Sequence, residues 1–397
     1  MEKQSSAKNI KFTGAFAVAC VLFGSHAGGG FATGNQATQY YVQYGWAAPF
    51  MAVLAMALLT LTIRECMIMY NSRGLGSYKE LFQTLYHPFD KLSILFDIYF
   101  YTMVLCAVGA VVAGTASLIN KTYNIPYAYA VLSIGAILLT LTIFGATMVS
   151  KASTIMSIGI LTSCAVIFMM GINAKMPEIS TIFSARESTS SIFKGILKAF
   201  TYAGFQSVVI PTMISCGKSL KSKEEVSRSM MIAFIINSIA LVLSVIMLLG
   251  WYAEFKAASE STLPSLYITK QLGKPYVYWA YNISLFLCFI STGVTTIYGF
   301  VEKFEKAKAL SGIKKVIVRR VMVSAFIMSL SMGISMVGLD KIIKYGYGYM
   351  GYLGIAIIIV PFLTVGAYKN RKYLRENNKS REENSDINIT FTEKTEF

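Results

Sequence analysis

The sequence predicts an all-α integral membrane protein with about ten transmembrane helices, and its composition and hydropathy carry that prediction. Of its 397 residues, 55% are hydrophobic and only 14% are charged, and the mean hydropathy is +0.55. Because soluble domains average about 25% charged residues, this composition excludes a soluble globular fold. The apolar runs follow one another with short connections, so they leave no room for a separate domain outside the membrane.

Ten apolar runs are each long enough to cross a bilayer, for which a helix needs about 20 residues. The predicted spans are 12–43, 46–70, 90–119, 126–148, 151–173, 190–216, 226–252, 275–304, 316–337 and 339–368. Together they predict one transmembrane domain, 12–368, between an N-terminal tail, 1–11, and a C-terminal tail, 369–397. No small-residue cleavage site follows the first run, so we expect a cytoplasmic tail there and not a signal peptide.

Most of the 36 lysine and arginine residues fall on one side of this predicted topology. An excess of these residues marks the cytoplasmic side of a membrane protein, so we expect both termini in the cytoplasm. The same distribution explains the net charge of +16 without nucleic-acid binding. The sequence therefore predicts a multi-pass protein of the bacterial cytoplasmic membrane, with an oligomeric state that it does not indicate.

The chain carries few residues that suit catalysis or tight metal binding. Its six cysteines all lie within or at the end of apolar runs without a C-x-x-C pair, which indicates core residues and not disulfides or metal ligands. Its two histidines, His26 and His87, have no H-E-x-x-H motif, and no convergent acidic pair is visible. We therefore expect no enzyme, no cofactor and no metal other than sodium. A filter or charge ring typical of a channel is also not visible.

The first span is interrupted by a glycine-rich segment from Gly24 to Gly34. Five of its eleven residues are glycine, and the segment also contains His26. Glycine costs about 1 kcal/mol per residue in a helix interior. Irregular backbone within a membrane is tolerated only where it is buried in protein or lines a cavity. The segment thus predicts a binding site in the middle of span one. The alternative is a glycine face that packs against a neighbouring helix.

A second interruption is predicted half a chain later, in span six. Gly204 and Gln206 fall in the middle of this span, and Pro211 removes a hydrogen-bond donor after them. Transporters built from inverted repeats carry interrupted helices at matching positions of their two halves. The sequence therefore predicts repeat one at 12–173 and repeat two at 190–368, with the two broken helices crossing near the membrane midplane.

Ten spans with breaks in the first and sixth resemble the LeuT fold. More narrowly, the chain resembles the amino acid–polyamine–organocation superfamily, in a bacterial branch of amino-acid permeases whose substrates are unassigned. The segments GSHAGGG at 24–30 and FTYAGF at 200–205 carry this resemblance. Two departures stand out: His26 replaces a residue that is usually small, and span one lacks the Gly-Ser-Gly of proton-coupled members.

The resemblance implies a secondary active transporter, a symporter that moves an amino acid or a similar small organic solute by alternating access. Sodium is the coupling ion that we expect. A proton-coupled permease, or a transporter of a nucleobase or osmolyte on the same fold, remains the alternative. The expected partners are the solute and the lipid bilayer.

The two breaks together suit a zwitterion. Free N–H groups near Gly30 to Thr33 favour a carboxylate, and free carbonyls at 201–203 favour an ammonium group. In the resembled fold, aromatic side chains of spans three and six also close over the substrate. The predicted substrate-binding residues are Ala27, Gly28, Gly29, Gly30, Tyr101, Thr201, Tyr202, Ala203, Gly204 and Phe205.

Span eight carries hydroxyl side chains one helical turn apart, which can supply oxygen ligands to sodium. In the resembled fold, sodium lies between this part of span eight and carbonyls of span one. The predicted sodium ligands are Gly24, Ala27, Ser291, Thr292 and Thr295. Alternatively, these hydroxyls only bond the carbonyl four residues earlier in their own helix.

His26, Asp97 and the segment from Tyr345 to Tyr352 leave open questions. His26 either carries a coupling proton or, as a neutral hydrogen-bonded residue, fixes the loop. Asp97 in span three either pairs with a basic residue on the cytoplasmic side or gates the inner pathway. Glycine alternates with tyrosine from Tyr345 to Tyr352, which indicates a close-packed face or a pathway lining.

Two long connections between spans are also expected to form helices. We expect an amphipathic helix within 71–89 and a short helical cap within 253–274.

Overall fold

The computed structural model describes residues 2–26, 28–304, 312–313 and 315–377, and all regular structure within these residues is helical. Helical segments occupy all ten predicted spans. Span one comprises Glu2–His26, Gly29–Ala32 and Asn35–Tyr40; span two is Ala48–Ser72; span three is Ile94–Tyr123; span four is Tyr127–Thr140; span five is Ala146–Ala174; span six comprises Ile192–Gln206 and Ile210–Cys216; span seven is Lys223–Ala257; span eight is Pro275–Phe304; span nine is Val316–Ser335; and span ten is Leu339–Asn377.

Seven helices in the described part of the chain are long and apolar enough to cross a membrane without interruption. They correspond to spans two, three, four, seven, eight, nine and ten. An eighth crossing results if residues Ile158–Ala174 of span five are joined to the helix Met176–Ser184, against which they bend by 72°. Spans one and six are the remaining two: the apolar part of the first helix of span one is only Gly14–His26, and span six is divided into Ile192–Gln206 and Ile210–Cys216. This agrees with the interruptions that the sequence predicts in both.

The spans pack in two groups. Spans one, two, six and seven contact one another, and we call them the first bundle. Spans three, four, eight and nine form a second set of mutual contacts, which we call the second bundle. Span five packs against spans seven and eight, and span ten packs against span six. Any movement of one bundle against the other must therefore change the contacts between spans one or six and spans three or eight.

The two ends of the molecule differ in charge. We call the end that carries residues 71–91, 217–223 and 369–377 the basic end, and the end that carries 121–126, 175–191 and 258–274 the opposite end. At the opposite end, Lys175 pairs with Glu178 and Glu254. These carboxylates raise the pKa of Lys175, and Lys175 lowers the pKa of Glu178.

The predicted helix within 71–89 is present at the basic end as Tyr78–Tyr86. The Ser77 hydroxyl accepts a bond from the Glu80 amide, and the Glu80 carboxylate accepts from the Gly76 amide at 2.9 Å and from the Ser77 hydroxyl at 3.0 Å. This reciprocal cap holds the pKa of Glu80 below its usual range. Phe82 stacks on Phe96 of span three with ring centroids 3.8 Å apart, so the helix is fixed to the second bundle.

The other end of this helix is held by Lys369 of span ten. Its ammonium group donates to the carbonyls of Thr84, Leu85 and His87 at 2.9 to 3.0 Å. The last carbonyls of a helix have no partner within it, and a cation there also interacts favourably with the helix dipole. The connection between spans two and three is thus a docked helix and not a loose loop.

The predicted cap within 253–274 is present at the opposite end as the helix Pro264–Gln271. The amide of Ser265 donates to the carbonyl of Thr33 at 3.1 Å, so the cap lies directly on span one. Gly34 adopts a left-handed backbone with φ of +77°, and a Cβ there would lie closer than 3.0 Å to the Ser265 hydroxyl. Glycine is therefore required at this position by both conformation and space.

Spans six and ten approach each other through glycine. A Cβ built on Gly204 would lie closer than 3.0 Å to the carbonyl of Gly351, and one built on Gly354 would meet the carbonyl of Gly204 at a similar distance. Small residues allow such close backbone contact between membrane helices. Of the two alternatives for the segment from Tyr345 to Tyr352, Gly351 thus belongs to a close-packed face.

We predict that Gly351→Ala lowers the free energy of unfolding by about 1–3 kcal/mol, because the added methyl group meets the backbone and side chain of Thr201. Thermal unfolding of the purified protein in detergent measures this loss. Gly348→Ala, in the same helix, is the matched control, since no atom lies within 4 Å of a Cβ there. Equal stability of the two variants would contradict the close approach of spans six and ten.

Candidate functional site

Span one is interrupted over fewer residues than the sequence predicts. The first helix continues through Gly24 and ends at His26, so the prediction of irregular backbone from Gly24 onward is wrong in its first part. Ala27, a predicted ligand of both substrate and sodium, lies outside the described residues. Beyond it, a four-residue helix, Gly29–Ala32, and a turn at residues 33 and 34 precede the last helix. Gly28, Gly29 and Gly30 therefore lie at the start of the interruption.

Span six is interrupted after Gln206 and not at Gly204. The helix Ile192–Gln206 gives way to a tighter 3₁₀ turn, Ser207–Val209, and Pro211 stands in the first turn of the helix that follows. Proline is accommodated at that place because the first turn of a helix needs no N–H donor within it. The predicted region is correct, and the interruption itself lies three residues later.

A buried polar network joins the two broken helices, with the hydroxyl of Tyr202 at its centre. His26 Nε2 lies 2.8 Å from this hydroxyl, the amide nitrogen of Gln206 lies 3.3 Å from it, and the amide oxygen of Gln36 lies 3.4 Å from it. All four side chains are at most 6% exposed. We call them the Tyr202 network. It connects the last residue before the break of span one with the last turn before the break of span six.

The proton positions in the Tyr202 network have two solutions. A tyrosine hydroxyl donates one hydrogen bond and accepts two. If His26 carries its proton on Nε2, it donates to Tyr202, which in turn donates to Gln36. If the proton is on Nδ1, Tyr202 donates to His26 and the Gln36 oxygen loses its donor. Gln206 donates to Tyr202 in both arrangements, so the histidine proton and the hydroxyl proton of Tyr202 change place together.

The side chain of Asn237 in span seven faces the second nitrogen of His26. Neither His26 Nδ1 nor Asn237 Oδ1 has a hydrogen-bond partner of normal geometry among the described residues, although the two side chains interact. The amide nitrogen of Asn237 is engaged by the carbonyl of Ala233. Its oxygen is thus the acceptor that an Nδ1–H form of His26 would need. His26 of span one consequently contacts two other spans of the first bundle, spans six and seven.

Aromatic side chains surround the Tyr202 network. The ring of Tyr202 lies 4.8 to 5.8 Å from those of its neighbours, measured between centroids, and all of these residues are buried. The neighbouring rings are His26, Tyr40, Tyr41 and Phe205. Phe31 extends this apolar wall from His26 to Phe168 of span five. The network is therefore closed off from both ends in this structure.

Two tyrosines that are not among the predicted site residues bond directly to the broken helices. The hydroxyl of Tyr99 in span three lies 2.6 Å from the carbonyl of Gly204 and 2.8 Å from that of Phe205. The hydroxyl of Tyr281 in span eight donates to the carbonyl of Ala32 at 2.7 Å. Both tyrosines are fully buried. No residue pattern marks them among 24 tyrosines, because only the tertiary fold brings them to the breaks.

The proposed sodium ligands are only partly brought together. A Cβ built on Gly28 would lie 3.8 Å from the Thr292 hydroxyl, so the break of span one is adjacent to span eight there. The Thr295 hydroxyl donates to the Ser291 carbonyl at 2.7 Å, which is the helical bond of the alternative interpretation. That bond leaves the lone pairs of the Thr295 oxygen available. Gly24 lies on an exposed face of its helix, and no atom lies within 4 Å of a Cβ there.

The predicted substrate residues separate into two groups. Tyr202 and Phe205 lie in the aromatic wall, whereas Thr201, Ala203 and Gly204 are buried at other positions of the same stretch of helix. The Thr201 hydroxyl donates to the carbonyl of Leu197, and Gly204 is occupied by the contact with span ten. These three positions hold the helix in place and present no free polar group to the network.

Tyr101 lies away from the Tyr202 network, on the side of span three that faces the end of span eight. Its ring is 5.2 Å from that of Phe304, and the Lys303 ammonium group lies 4.8 Å from its centroid. Lys303 also donates to the hydroxyl of Tyr78, which donates to Asp97 at 2.9 Å. Asp97 is therefore linked to a basic residue through a tyrosine hydroxyl at the basic end.

At the opposite end, a polar cluster joins span one, the cap region and span ten. The carboxylate of Asp340 accepts from Asn35 at 2.6 Å and from the Thr262 hydroxyl at 2.6 Å. The Asn35 amide nitrogen also lies within bonding distance of the carbonyls of Ser261 and Thr262. These bonds close the opposite end over the Tyr202 network.

We predict that Tyr202→Phe lowers the free energy of unfolding by about 1–3 kcal/mol, because buried partners lose their hydrogen bonds. Chemical or thermal unfolding in detergent measures the change. Tyr41→Phe is the matched control: its ring packs against Tyr202 at 5.2 Å, but its buried hydroxyl has no hydrogen-bond partner among the described residues. A loss in Tyr41→Phe as large as that in Tyr202→Phe would refute the network.

Comparison with known proteins identifies the fold. No family model matches the chain, and no curated protein matches it. Among solved structures, the chain is similar to MhsT in complex with L-phenylalanine, with a TM-score of 0.60 and 15% identity over 87% of each chain. It is also similar to a substrate-bound, outward-open Na⁺-coupled sialic acid symporter, with a TM-score of 0.57 and 13% identity over 87% of this chain and 78% of that one.

A third similar structure is the inward-facing conformation of Mhp1, with a TM-score of 0.58 and 11% identity over 88% of this chain and 76% of that one. Identities this low show the fold alone. These neighbours are transporters and not enzymes. The chain is thus an all-α membrane protein with the LeuT fold, in which the first and sixth spans are broken.

Proposed function

We propose that this protein is a secondary active transporter that couples the uptake of an amino acid, or a similar small organic solute, to sodium. The basic end faces the cytoplasm in this proposal, since lysine and arginine are enriched on the cytoplasmic side of membrane proteins. The solute is reached alternately from the two ends, as the first bundle moves against the second.

The Tyr202 network is the observation that supports this proposal most. It places polar side chains from both broken helices at one buried point, where uninterrupted helices would bury apolar side chains. Buried polar groups in a membrane helix are costly and mark functional sites. Both broken helices belong to the first bundle, and Tyr99 and Tyr281 of the second bundle bond to them, so a movement between the bundles would change the surroundings of this point.

The chemistry of this point suits a small solute with hydrogen-bonding groups and an apolar part. Gln36, Gln206 and Tyr202 offer both donors and acceptors without a fixed charge. The rings of Phe31 and Phe205 supply an apolar wall beside them. The ionised ends of an amino acid would then be held by the backbone of the break at Gly28, Gly29 and Gly30, beside the Gln36 side chain, which lies against Gly30.

Sodium coupling draws support from the contact between the two elements that would share the ion. Gly28 of the span-one break lies next to Thr292 of span eight, and Ser291 and Thr295 lie within one turn of it. Hydroxyl and carbonyl oxygens are suitable ligands for a hard cation. Among the similar structures, the sialic acid symporter is described as Na⁺-coupled.

Proton coupling is the second candidate, and His26 favours it. This side chain belongs to the last residue before the break, and its proton has two positions that change the hydrogen bonds of Tyr202 and the acceptor available to its second nitrogen. Histidine is also the side chain whose proton exchange lies closest to neutral pH. In this alternative, His26 replaces the sodium ion as the carrier of the coupling charge.

Uptake into proteoliposomes tests the proposal. Purified protein is reconstituted and offered labelled amino acids, nucleobases and osmolytes, each with a sodium gradient, with a proton gradient and with neither. We expect saturable uptake of at least one amino acid that rises at least tenfold with the sodium gradient. Uptake driven only by protons would select the second candidate, and uptake only of a nucleobase or osmolyte would reject the amino acid. The absence of any saturable uptake would contradict a transport function.

We predict that Thr292→Val and Thr295→Val each raise the sodium concentration for half-maximal uptake about tenfold, since each removes one oxygen ligand of a charged species. Sodium titration of uptake measures this constant. Thr140→Val is the matched control, because the Thr140 hydroxyl makes the same helical bond, to Ala136, far from the break. Unchanged sodium dependence in both test variants would rule out this sodium site.

A further inference from the structure

Tyr99 and Tyr281 occupy corresponding places in the two halves of the chain. Tyr99 lies near the start of span three, in its second turn, and Tyr281 lies in the second turn of span eight. The two helices are each 30 residues long and are the third spans of the two predicted repeats. Span three starts at the basic end and span eight at the opposite end. The tyrosines are therefore placed on opposite sides of the membrane centre.

Each tyrosine reaches from the second bundle to a broken helix of the first bundle. Tyr99 bonds to the carbonyls of Gly204 and Phe205, in the last turn before the break of span six. Tyr281 bonds to the carbonyl of Ala32, the last residue of the short helix within span one. Carbonyls at the end of a helix lack partners within it. In a membrane interior, such a carbonyl must accept a hydrogen bond from another group, because leaving it unpaired costs several kcal/mol of free energy.

We infer that Tyr99 and Tyr281 are positioning residues that hold the two broken helices against the second bundle, one towards each end. The bond of Tyr281 keeps the opposite end closed, and the bond of Tyr99 keeps the basic end closed. Both bonds are present in this structure, in which both ends are closed over the Tyr202 network. This inference rests on the proposed function, in which opening at one end requires the loss of one of the two bonds.

Hydrogen exchange of backbone amides tests the two bonds without any substrate. In Tyr99→Phe, we expect exchange at residues 206–210 to be about tenfold faster than in the unmodified protein, because the carbonyls of Gly204 and Phe205 just before this segment lose a buried bond. In Tyr281→Phe, the same increase is expected at residues 31–36. Each variant leaves the other segment unchanged. Phenylalanine keeps the ring, so neither variant opens a cavity.

Tyr127→Phe is the matched control. The Tyr127 hydroxyl of span four donates to the carbonyl of Ser335 at the end of span nine, at 2.7 Å. This bond has the same chemistry and length, but it lies within the second bundle. Its loss should leave exchange unchanged at both breaks. Accelerated exchange at the breaks in this control would show a general loss of stability and overturn the inference.

Cysteine labelling tests the direction of opening. Thr38→Cys and Ser25→Cys place probes on the two halves of span one, in a protein whose exposed Cys20 and Cys216 are replaced by serine. Both probe positions are only partly buried. Tyr281→Phe should speed maleimide labelling of the Thr38→Cys probe severalfold, and Tyr99→Phe that of the Ser25→Cys probe. Labelling at both probes alike, or at neither, would overturn the assignment of one tyrosine to each end.

The two proposals fail in different ways. Direction-specific opening without uptake of any solute would support the positioning role of the tyrosines and contradict the transport function. Solute uptake with unchanged exchange and labelling in both tyrosine variants would support transport and overturn the positioning role. Either result is obtained with the full-length protein in the same detergent or proteoliposome preparation.

Discussion

The need to pair every backbone N–H and C=O group in a membrane interior governs this structure. Two of its helices are interrupted where no water is available to replace the lost hydrogen bonds. The protein supplies partners from its own side chains and neighbouring helices. Thr33 bonds to the carbonyl of Gly30 and accepts the amide of Asn35, and Ser265 of the cap bonds to Thr33. The breaks are consequently well-defined pieces of backbone that can present groups to a solute.

Glycine has different functions at different positions of the chain. At Gly34 it provides a left-handed turn beneath the cap, and at Gly204, Gly351 and Gly354 it allows two helix backbones to touch. At Gly28, in the break of span one, it leaves space beside a hydroxyl group of span eight. The packing interpretation and the binding-site interpretation of a glycine-rich membrane helix are thus both valid, each for its own residues. The contacts of each glycine decide between them.

The Tyr202 network at the centre of the molecule is polar without a fixed charge, and two partly buried carboxylates are held towards the ends. Asp97 and Lys303 are linked through Tyr78 at the basic end, and Asp340 is held by Asn35 and Thr262 at the opposite end. Between them, the Tyr202 network consists of amides, a phenol and an imidazole. A charge in the membrane interior is expensive unless it is paired, so a neutral centre is the cheaper resting state. The coupling ion would then supply the charge that a solute needs.

The sequence by itself determined the class of the protein, the ten spans and the regions of both breaks, because hydropathy and glycine content act locally along the chain. It also predicted His26, Tyr202, Gly28 and Thr292 as candidate residues, and the structure brings these together in two adjacent contacts. It could not distinguish Tyr99 from Tyr101, since a helix turns by about 100° per residue and only the packing of span three decides which side chain meets span six. For the same reason, the partners of Gln36, Asn237 and Tyr281 were decided only by the tertiary structure. The hydrogen bonds of Gln36 and Tyr281 join residues more than 160 positions apart, and no local pattern in the chain records such distances.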